Sequence, residues 1–430
     1  MTDRGKTDVR ALALEVLLEV TERKEYSHLA LRGALEKYQY LEKQDRAFLT
    51  RLVEGTVERM LELDYIIGCF SRTPVHKMKP VIRGILRMSV YQIKYMDRIP
   101  DAAVCNEAVK LAVKKGFSGL RGFVNGVLRS IVRGLGEVEY PGLSVKYSTP
   151  EWIVRQWTQE YGEELALGML EDQYAERPVT VRVNLHRISR EALAERLTRE
   201  GVSVRTVDGV DCALAISGYD YLAALPSFQD GLFQVQDVSS MLAVLAAAPR
   251  PGDYCIDVCA APGGKSLHMA DLMNGTGMVE ARDLTEYKVQ LIEENIARSR
   301  MENIRAARQD ATVLDEGSVE KADVVLADLP CSGLGVLNKK RDLKYRMTPK
   351  QQEELVMLQR RILETVQRYV KPGGVLVYST CTVHREENEG NTAWFLERFP
   401  FVLKERKQML QGRDPWDGFY IAKMERKLHD

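Results

Sequence analysis

Hydrophobic residues recur at helical spacing through the first third of the chain. In RGFVNGVLRSIVRGL the positions i, i+3, i+4 and i+7 are Val124, Val127, Leu128 and Ile131, and VIRGILRMSVYQIKYM repeats the pattern with Ile82, Ile85, Leu86 and Ile93. This spacing puts the apolar side chains on one face of a helix. Several such segments in succession predict a helical bundle over residues 1–140, and the glycine-rich stretch GLGEVEYPGLS from Gly134 then breaks the pattern.

After residue 141 the pattern changes to short strands alternating with helices. A helix carrying Trp152 and Trp157 precedes the β-branched run VTVRVNL, and SREALAERLTREG has the pattern of a helix capped by Ser189. Further short strands extend to Phe233. We expect residues 141–235 to contain a linker and a small sheet with helices on one face, a ferredoxin-like module.

From Gln236 the alternation becomes larger and more regular. Five strand-like runs follow: YCIDV from Tyr254, GMVEARD from Gly277, IRAARQ from Ile304, ADVVLAD from Ala322 and GGVLVYST from Gly373. This spacing predicts a doubly wound, mostly parallel α/β sheet over residues 236–430, with helices on both faces. Ligands of such sheets bind at the carboxyl ends of the strands.

Composition narrows the class of protein. The chain is 45% hydrophobic and 28% charged, its N-terminus lacks a secretory signal, and its longest apolar run, MLAVLAAAP, is too short to cross a bilayer. We therefore expect a cytoplasmic protein without a membrane partner. The seven cysteines are scattered and unpaired in spacing, which favours free thiols over disulfides and predicts no metal site.

Basic residues are unevenly distributed. Net charge is zero, with 61 basic and 61 acidic residues, but residues 1–140 hold 24 basic against 18 acidic side chains. The block from Arg72 to Arg133 holds 13 basic and three acidic residues. Such a block attracts phosphates, yet basic helical surfaces are also common without any partner. Charge alone leaves both interpretations open.

A glycine-rich turn, DVCAAPGGKS, joins the first strand of the large sheet to a helix. One interpretation is a P-loop for a nucleoside triphosphate, because Gly264, Lys265 and Ser266 match the end of that pattern. Cys259 stands where the pattern needs its first glycine, and Pro262 lacks an N–H. We favour a nucleoside-bearing cofactor, held by Cys259, Ala260, Ala261, Pro262, Gly263, Gly264 and Lys265.

Aspartates end the strands that follow this turn. Asp283 lies 19 residues past Gly264, where an acid that binds a ribose is expected. Asp310 ends the third strand, where it either faces the adenine end of a cofactor or caps a helix. Asp328 ends the fourth strand and completes the row of carboxylates.

Two cysteines also follow strand ends, Cys331 in DLPCSGLG and Cys381 in YSTCTVHREENE. Neighbouring strand ends bring both thiols and the Asp328 carboxylate to one cleft. Methylation of a cytosine at C5 needs such a set, because a thiolate must add to C6, an acid must meet N3 and the exocyclic amine, and a base must remove the C5 proton. Methylation of the exocyclic amine needs no cysteine.

These motifs resemble those of the Sun-type (NOL1/NOP2/Sun) RNA cytosine-C5 methyltransferases. The likeness includes QDVSS, CAAPGGKS, RDLTEYK, RQDAT, ADLPCSGLGVLNKKRDLKY and VYSTCTVHREENE. RALALEVLLEV and GFVNGVLR resemble the NusB-like domain of the bacterial RsmB/Sun/Fmu-type enzymes of 16S ribosomal RNA. The resemblance implies three parts: an all-α NusB-like bundle that binds RNA, a ferredoxin-like (RRM-like) module and a Rossmann-like class I methyltransferase domain.

The resemblance also implies roles for individual residues. S-adenosylmethionine would be held by Cys259 to Lys265, with Asp283 on the ribose, Asp310 near the adenine and Asp328 at the methyl end. Cys381 would be the nucleophile and Cys331 the cysteine that assists product release, with Lys265 as a further contact in the active site. DNA cytosine methyltransferases use the cysteine of the PC motif instead, so the residues alone leave this assignment open.

The same resemblance implies a monomeric enzyme whose partner is 16S ribosomal RNA. A different class of protein also fits the helical domain: an RNA-binding, antitermination-like protein with an inert catalytic fold. Near the end of the chain, DPWDGFYIAKM resembles the last strand of the family, and LKERKQMLQGRD before it is expected to be a short loop.

Overall fold

The computed structural model describes residues 7–428 and divides the chain into two compact units. The helical unit contains the chain up to Glu171 together with the later segment Leu337–Arg346, and the second unit contains the rest. The α-helices are α1 Val9–Thr21, α2 Ser27–Lys37, α3 Lys43–Glu58, α4 Met60–Phe70, α5 Pro80–Tyr95, α6 Asp101–Lys114, α7 Arg121–Gly134, α8 Leu143–Lys146, α9 Glu151–Tyr161, α10 Glu163–Asp172, α11 Arg190–Arg199, α12 Pro226–Gln229, α13 Val238–Ala247, α14 Gly264–Leu272, α15 Glu286–Ser299, α16 Leu343–Arg346, α17 Pro349–Val366 and α18 Asn391–Arg398.

The strands form two sheets, both in the second unit. They are β1 Val179–Val183, β2 Ser203–Thr206, β3 Ala213–Ser217, β4 Phe233–Val235, β5 Tyr254–Asp257, β6 Met278–Asp283, β7 Ile304–Arg308, β8 Ala322–Asp328, β9 Val370–Thr380, β10 Phe401–Met409 and β11 Phe419–Arg426. The smaller sheet has the order β2-β3-β1-β4 and the larger one β10-β11-β9-β8-β5-β6-β7.

The helical bundle is confirmed in the helical unit. The apolar stripe of α7 is buried at all four predicted positions, and in α5 the predicted Ile82, Ile85 and Leu86 are buried while Ile93 is half-buried. These residues contribute to one apolar core shared by the helices up to α7. Packing of amphipathic faces accounts for the bundle, since short helices are only marginally stable alone.

A segment from the later part of the chain completes the helical unit. Arg341 forms ion pairs with Glu58 at 2.8 Å and Glu54 at 3.3 Å, and Ser27 Oγ donates to Asp342 Oδ1 at 2.6 Å. Lys344 is buried in the same place, and burial lowers its pKa to about 7. The segment Leu337–Arg346 belongs to the motif that carries Cys331, so its place among the first helices was not predicted.

The smaller sheet is antiparallel and has a different neighbour on each face. Ser189 caps α11 by accepting from the Ala192 N–H, as predicted, and Leu193 and Leu197 of α11 pack on one side of the sheet. On the other side, Ala213 and Ala215 pack with Val238 and Met241 of α13. The ferredoxin-like module is therefore covered on both faces.

The larger sheet confirms the doubly wound fold. Strands β9, β8, β5, β6 and β7 pair in parallel, and β11 and β10 continue the sheet antiparallel. Successive residues alternate between two apolar cores, Cys255 in one and Ile256 in the other. Because side chains of a strand alternate between faces, one core holds α13, α14 and α15 and the opposite core holds α17 and α18.

The prediction of a loop over LKERKQMLQGRD was wrong for the residues up to Met409 and holds only for the last five residues, LQGRD. Residues up to Met409 form β10, which pairs antiparallel with β11 from Phe401 opposite Arg426 to Met409 opposite Phe419. The resemblance to the family suggested a loop there, whereas the run is the edge strand of the sheet, where side chains stay exposed. Charged residues are typical of such edges, since they discourage pairing with another chain.

Candidate active site

The glycine-rich turn connects β5 to α14 at the carboxyl edge of the larger sheet. Ala260 N–H donates to the Arg282 carbonyl at 2.8 Å, and Asn295 Nδ2 donates to the Pro262 carbonyl at 2.9 Å. Gly263 has a φ of 100°, a left-handed conformation that favours glycine. Since α14 begins at Gly264, the first N–H groups of that helix open toward the turn.

Carboxylates surround this turn. Asp257 is buried and accepts from Ser266 Oγ at 2.6 Å, and burial raises its pKa to about 7. Asp283, at the end of β6, accepts the Ala261 N–H through Oδ2 at 3.0 Å. Its Oδ1 accepts from Leu284 N at 2.8 Å and Lys288 Nζ at 2.9 Å. A carboxylate oxygen accepts two hydrogen bonds, so Oδ2 keeps capacity for a ligand hydroxyl.

Lys265 of α14 and Asp328 at the end of β8 form an ion pair. Lys265 Nζ donates to Asp328 Oδ2 at 2.6 Å and lies 5.6 Å from the centre of the Phe419 ring. Burial acts to lower the pKa of Lys265, but Asp328, with Asp257 and Cys381, outweighs it and the pKa is raised. Ser379 Oγ donates to Asp328 Oδ1 at 2.8 Å, which fixes the other oxygen of the carboxylate.

The two cysteines meet next to this pair. Cys331 Sγ lies 3.3 Å from Cys381 Sγ, and both residues are partly exposed. The hydrogen bond with Cys381, burial, and the negative charges of Glu387 and Asp328 raise the pKa of the Cys331 thiol well above its usual value. At neutral pH Cys331 therefore remains a thiol, able to donate its proton to a thiolate at Cys381. Burial also raises the pKa of Cys259.

Strand order sets the sequence of groups along the edge. Going from β9 to β7, the edge carries Cys381, then Asp328 and Cys331, then the turn, then Asp283, then Asp310. Neighbouring strands lie about 4.8 Å apart, so the four intervals from β9 to β7 make this part of the edge about 19 Å long.

Asp310 is exposed and accepts from Thr312 N at 2.9 Å and Thr312 Oγ1 at 2.7 Å. It thus caps a turn, and of the two alternatives given for Asp310 the helix cap does not hold, because no helix follows it directly.

Three family models match the chain in order. They are the NusB family over residues 7–133, the RsmF/B-like ferredoxin-like domain over residues 149–219, and the 16S rRNA methyltransferase RsmB/F over residues 244–425. The chain is 37% identical over 448 residues to the probable ribosomal RNA small subunit methyltransferase B of Bacillus subtilis, with 98% of this chain and 99% of the relative covered. The chain belongs to the RsmB family.

Other comparisons agree with this family. The ribosomal RNA small subunit methyltransferase B of Escherichia coli O127:H6 is 28% identical over 434 residues, covering 99% of this chain and all of the relative. The solved structure of PH0851 is 25% identical, with a TM-score of 0.84, covering 98% of this chain and 100% of the other. The relatives named here are small-subunit ribosomal RNA methyltransferases, and the chain, as a member of their family, is a methyltransferase.

Several residues at the RsmB-family site were missed by the sequence analysis as functional candidates. Ser379 and Phe419 contact the Lys265–Asp328 pair, and Asn295 holds the glycine-rich turn. Ser379 adjoins the TC motif, which is a local signal. Phe419 and Asn295 come from β11 and α15, and no local pattern distinguishes them from ordinary core and helix residues.

The part of the chain that the structure describes, residues 7–428, was predicted to have neither a metal site nor a membrane span. Within that range no cluster of three or more His, Cys, Asp or Glu side chains has the arrangement of a metal site. None of the helices described there is both long and apolar enough to span a bilayer.

Proposed function

We propose that this RsmB-family enzyme methylates C5 of a cytosine in 16S ribosomal RNA through a covalent bond between Cys381 and C6. The observation that carries the proposal is the contact of 3.3 Å between the Cys331 and Cys381 sulfurs, beside the Lys265–Asp328 ion pair. Transfer to an exocyclic amine uses neither thiol, whereas transfer to C5 needs a sulfur nucleophile and a polar partner for the base.

The donor set of the turn fits S-adenosylmethionine, which is the methyl donor. This molecule carries a sulfonium, an ammonium, a carboxylate and a ribose diol. Carboxylates at Asp257, Asp283 and Asp328 suit its cations and hydroxyls, and the N-terminus of α14 suits its carboxylate. A triphosphate would meet the same three carboxylates with like charge. We therefore assign Cys259 to Lys265 to the cofactor, Asp283 to its ribose and Asp310 to its adenine end.

Cys381 begins the reaction by adding as a thiolate to C6, with the Cys331 thiol donating a hydrogen bond to it beforehand. Addition pushes negative charge onto the N3 side of the ring and makes C5 nucleophilic. Asp328 accepts a hydrogen bond from the exocyclic amine, and the Lys265 ammonium offsets the negative charge that develops at N3. S-adenosylmethionine, when bound, supplies the electrophilic methyl group that C5 attacks.

Release restores aromaticity to the ring. The C5 proton leaves to water acting as base, its bonding pair forms the C5–C6 double bond, and the C6–S pair returns to Cys381. Cys331 assists this step, because its thiol can hydrogen-bond to the departing sulfur. The target base must be unstacked for this chemistry, since C6 is inaccessible within a helix. We infer a monomer, since one chain supplies every residue assigned here, and we place it in the cytoplasm with its proposed ribosomal RNA substrate.

The proposal is tested by incubating the protein with methyl-labelled S-adenosylmethionine and 16S ribosomal RNA, either naked or in assembling particles. Digestion to nucleosides and mass spectrometry should place the label in 5-methylcytidine. Label on the exocyclic amine would refute the covalent mechanism. Cofactor binding without transfer to any RNA would favour the inert RNA-binding protein, and a melting temperature raised by ATP alone would favour the P-loop.

The basic block between Arg72 and Arg133 is assigned to RNA binding in the NusB-like part, residues 1–140. Six of its basic residues pair with acids, and the others are exposed: Arg72, Lys77, Lys79, Arg98, Arg121, Arg129 and Arg133. Exposed cations without acidic partners are the ones free to neutralise phosphates.

Reversing Arg121, Arg129 and Arg133 of α7 to glutamate should weaken binding of 16S ribosomal RNA. If each contacts one phosphate, the slope of log K against log salt should become shallower by about 2 to 3. Filter binding over a series of salt concentrations measures both. The triple lysine variant keeps the charges and should bind nearly as the wild type. Equal affinity and slope for the glutamate variant would show that α7 does not contact the RNA.

A further inference from the structure

A π-helical turn, Glu386–Gly390, follows the Cys381 loop and precedes α18. Its sequence EENEG is acidic, yet the side chains of Glu387 and Asn388 are both 0% exposed. Short π-helical turns are rare and often occur at functional sites. A buried carboxylate and a buried amide next to each other need specific partners, because burying an unsatisfied polar group is costly.

Glu387 holds both neighbours of Cys331. Its Oε2 accepts from the Ser332 N–H at 2.9 Å and from Gln359 Nε2 at 3.0 Å. Gln359 Nε2 also donates to the Pro330 carbonyl at 2.8 Å. The residue before Cys331 and the residue after it are thus attached to one carboxylate, directly or through one amide.

Asn388 holds both neighbours of Cys381 in the same way. Its Oδ1 accepts from Thr380 Oγ1 at 2.5 Å, and its Nδ2 donates to the Thr382 carbonyl at 3.0 Å and to Gln408 Oε1 at 2.7 Å. Each side-chain oxygen and nitrogen of Asn388 is therefore used to fix the Cys381 loop.

The two loops are also joined directly. Ser332 and Thr382 are hydrogen-bonded through their hydroxyls at 2.7 Å. Each of these residues follows a cysteine, so the contact closes a ring that runs from Glu387 through both cysteine loops to Asn388. Consecutive residues of one rigid turn thus determine where each sulfur lies relative to the other.

We propose that Glu387 and Asn388 are positioning residues for the two cysteines, Glu387 for the release step through Cys331 and Asn388 for the nucleophilic step through Cys381. This assignment rests on the roles given to the cysteines in the proposed function. According to this assignment, the two residues affect different steps of the reaction, although they are adjacent in the chain. A residue that only stabilised the fold would slow both steps together.

The test compares Glu387→Ala, Asn388→Ala and the wild type for labelled protein–RNA adduct on a denaturing gel and for methyl transfer in single turnover. Misplacing a reacting group by about 1 Å costs about 100-fold in rate. Glu387→Ala should lose about that factor in released product while adduct accumulates. Asn388→Ala should lose adduct and product together by the same factor.

Glu386→Gln is the matched control, because Glu386 lies on the same turn but is exposed. It should behave as the wild type. The side chain in Glu387→Gln keeps an oxygen that can accept from Ser332 and Gln359, so this variant should recover most of the release rate. It also tests the assignment if Glu387→Ala does not fold. Affinity for S-adenosylmethionine should be unchanged in all four variants.

Two results would overturn the assignment. Equal losses of adduct and product in Glu387→Ala and Asn388→Ala, with no recovery in Glu387→Gln, would show a purely structural role. Wild-type kinetics in both alanine variants would show no role at all. Absence of methyl transfer by the wild type would instead reject the proposed function and this assignment with it, so the two failures are distinguishable.

Discussion

Replacing Cys381 with alanine should abolish both the covalent protein–RNA adduct and methyl transfer. The reason is chemical: without a sulfur that adds to C6, C5 of cytosine is a poor nucleophile and cannot attack the methyl donor. The measurement is a denaturing gel of the protein incubated with 16S ribosomal RNA and methyl-labelled S-adenosylmethionine, together with the label in the RNA.

Replacing Cys331 with alanine should have the opposite effect on the adduct. Cys331 Sγ lies 3.3 Å from Cys381 Sγ, and its raised pKa keeps it a thiol that stabilises the departing thiolate. Its loss leaves addition and methyl transfer possible but slows release, so labelled adduct accumulates. Cys69→Ala, which removes an exposed thiol of α4, is the control and should resemble the wild type.

A reversed pattern, with adduct trapped in Cys381→Ala and none in Cys331→Ala, would exchange the two roles. Cys331 would then be the nucleophile, as the PC cysteine is in DNA cytosine methyltransferases. Methylation at the wild-type rate by Cys331→Ala and Cys381→Ala alike would contradict any covalent mechanism. The gel, run with the wild type, Cys381→Ala, Cys331→Ala and Cys69→Ala, therefore distinguishes three mechanisms: Cys381 as the nucleophile, Cys331 as the nucleophile, and no covalent bond to the base.

Asp328→Asn should lower methyl transfer by about 1,000-fold, within the range measured for positioned acids and bases. Asparagine keeps the shape of the side chain but removes the negative charge that raises the pKa of Lys265 and orients its ammonium. The developing charge on the ring then loses its organised partner. Single-turnover transfer with saturating RNA and cofactor measures the effect on the chemical step.

Ser379→Ala is the graded control for this substitution. It removes the hydrogen bond to Asp328 Oδ1 but leaves the ion pair with Lys265 intact, so its effect should be about 10- to 100-fold, the worth of one hydrogen bond to a charged group. If Asp328→Asn and Ser379→Ala reduce transfer equally, the carboxylate charge does not act in the reaction, and Asp328 serves only to hold the loop.

Local sequence signals predicted most of the elements that carry the site. The five strand-like runs after Gln236 became parallel strands, Ser189 caps its helix, and the turn at Gly263 adopts a conformation that glycine favours. These features depend on residues close together in the chain. Groups placed just after parallel strands must lie on one edge of the sheet, which is why the strand pattern alone placed the candidate residues along a common cleft.

Local sequence signals did not predict the structure correctly where the burial of a residue depends on partners far away in the chain. The charged run of β10 lacks an alternating apolar face because it pairs on only one side, as an edge strand. Asp310 was expected to cap a helix or face a ligand, and the chain after it forms a turn. Glu387 and Asn388 stand in an acidic run that predicts exposure, yet both are buried against loops formed elsewhere.

The sequence by itself determined the α/β fold, the family and the set of reactive groups, because strand periodicity, helix caps and motif spacing are local properties of the chain. The tertiary structure alone decided how those groups meet: the 3.3 Å between the cysteines, the pairing of Lys265 with Asp328, and the packing of Leu337–Arg346 among the first helices. Each of these contacts joins residues at least 50 positions apart. Such contacts follow from how two cores and a seven-stranded sheet pack, and no local pattern encodes their geometry.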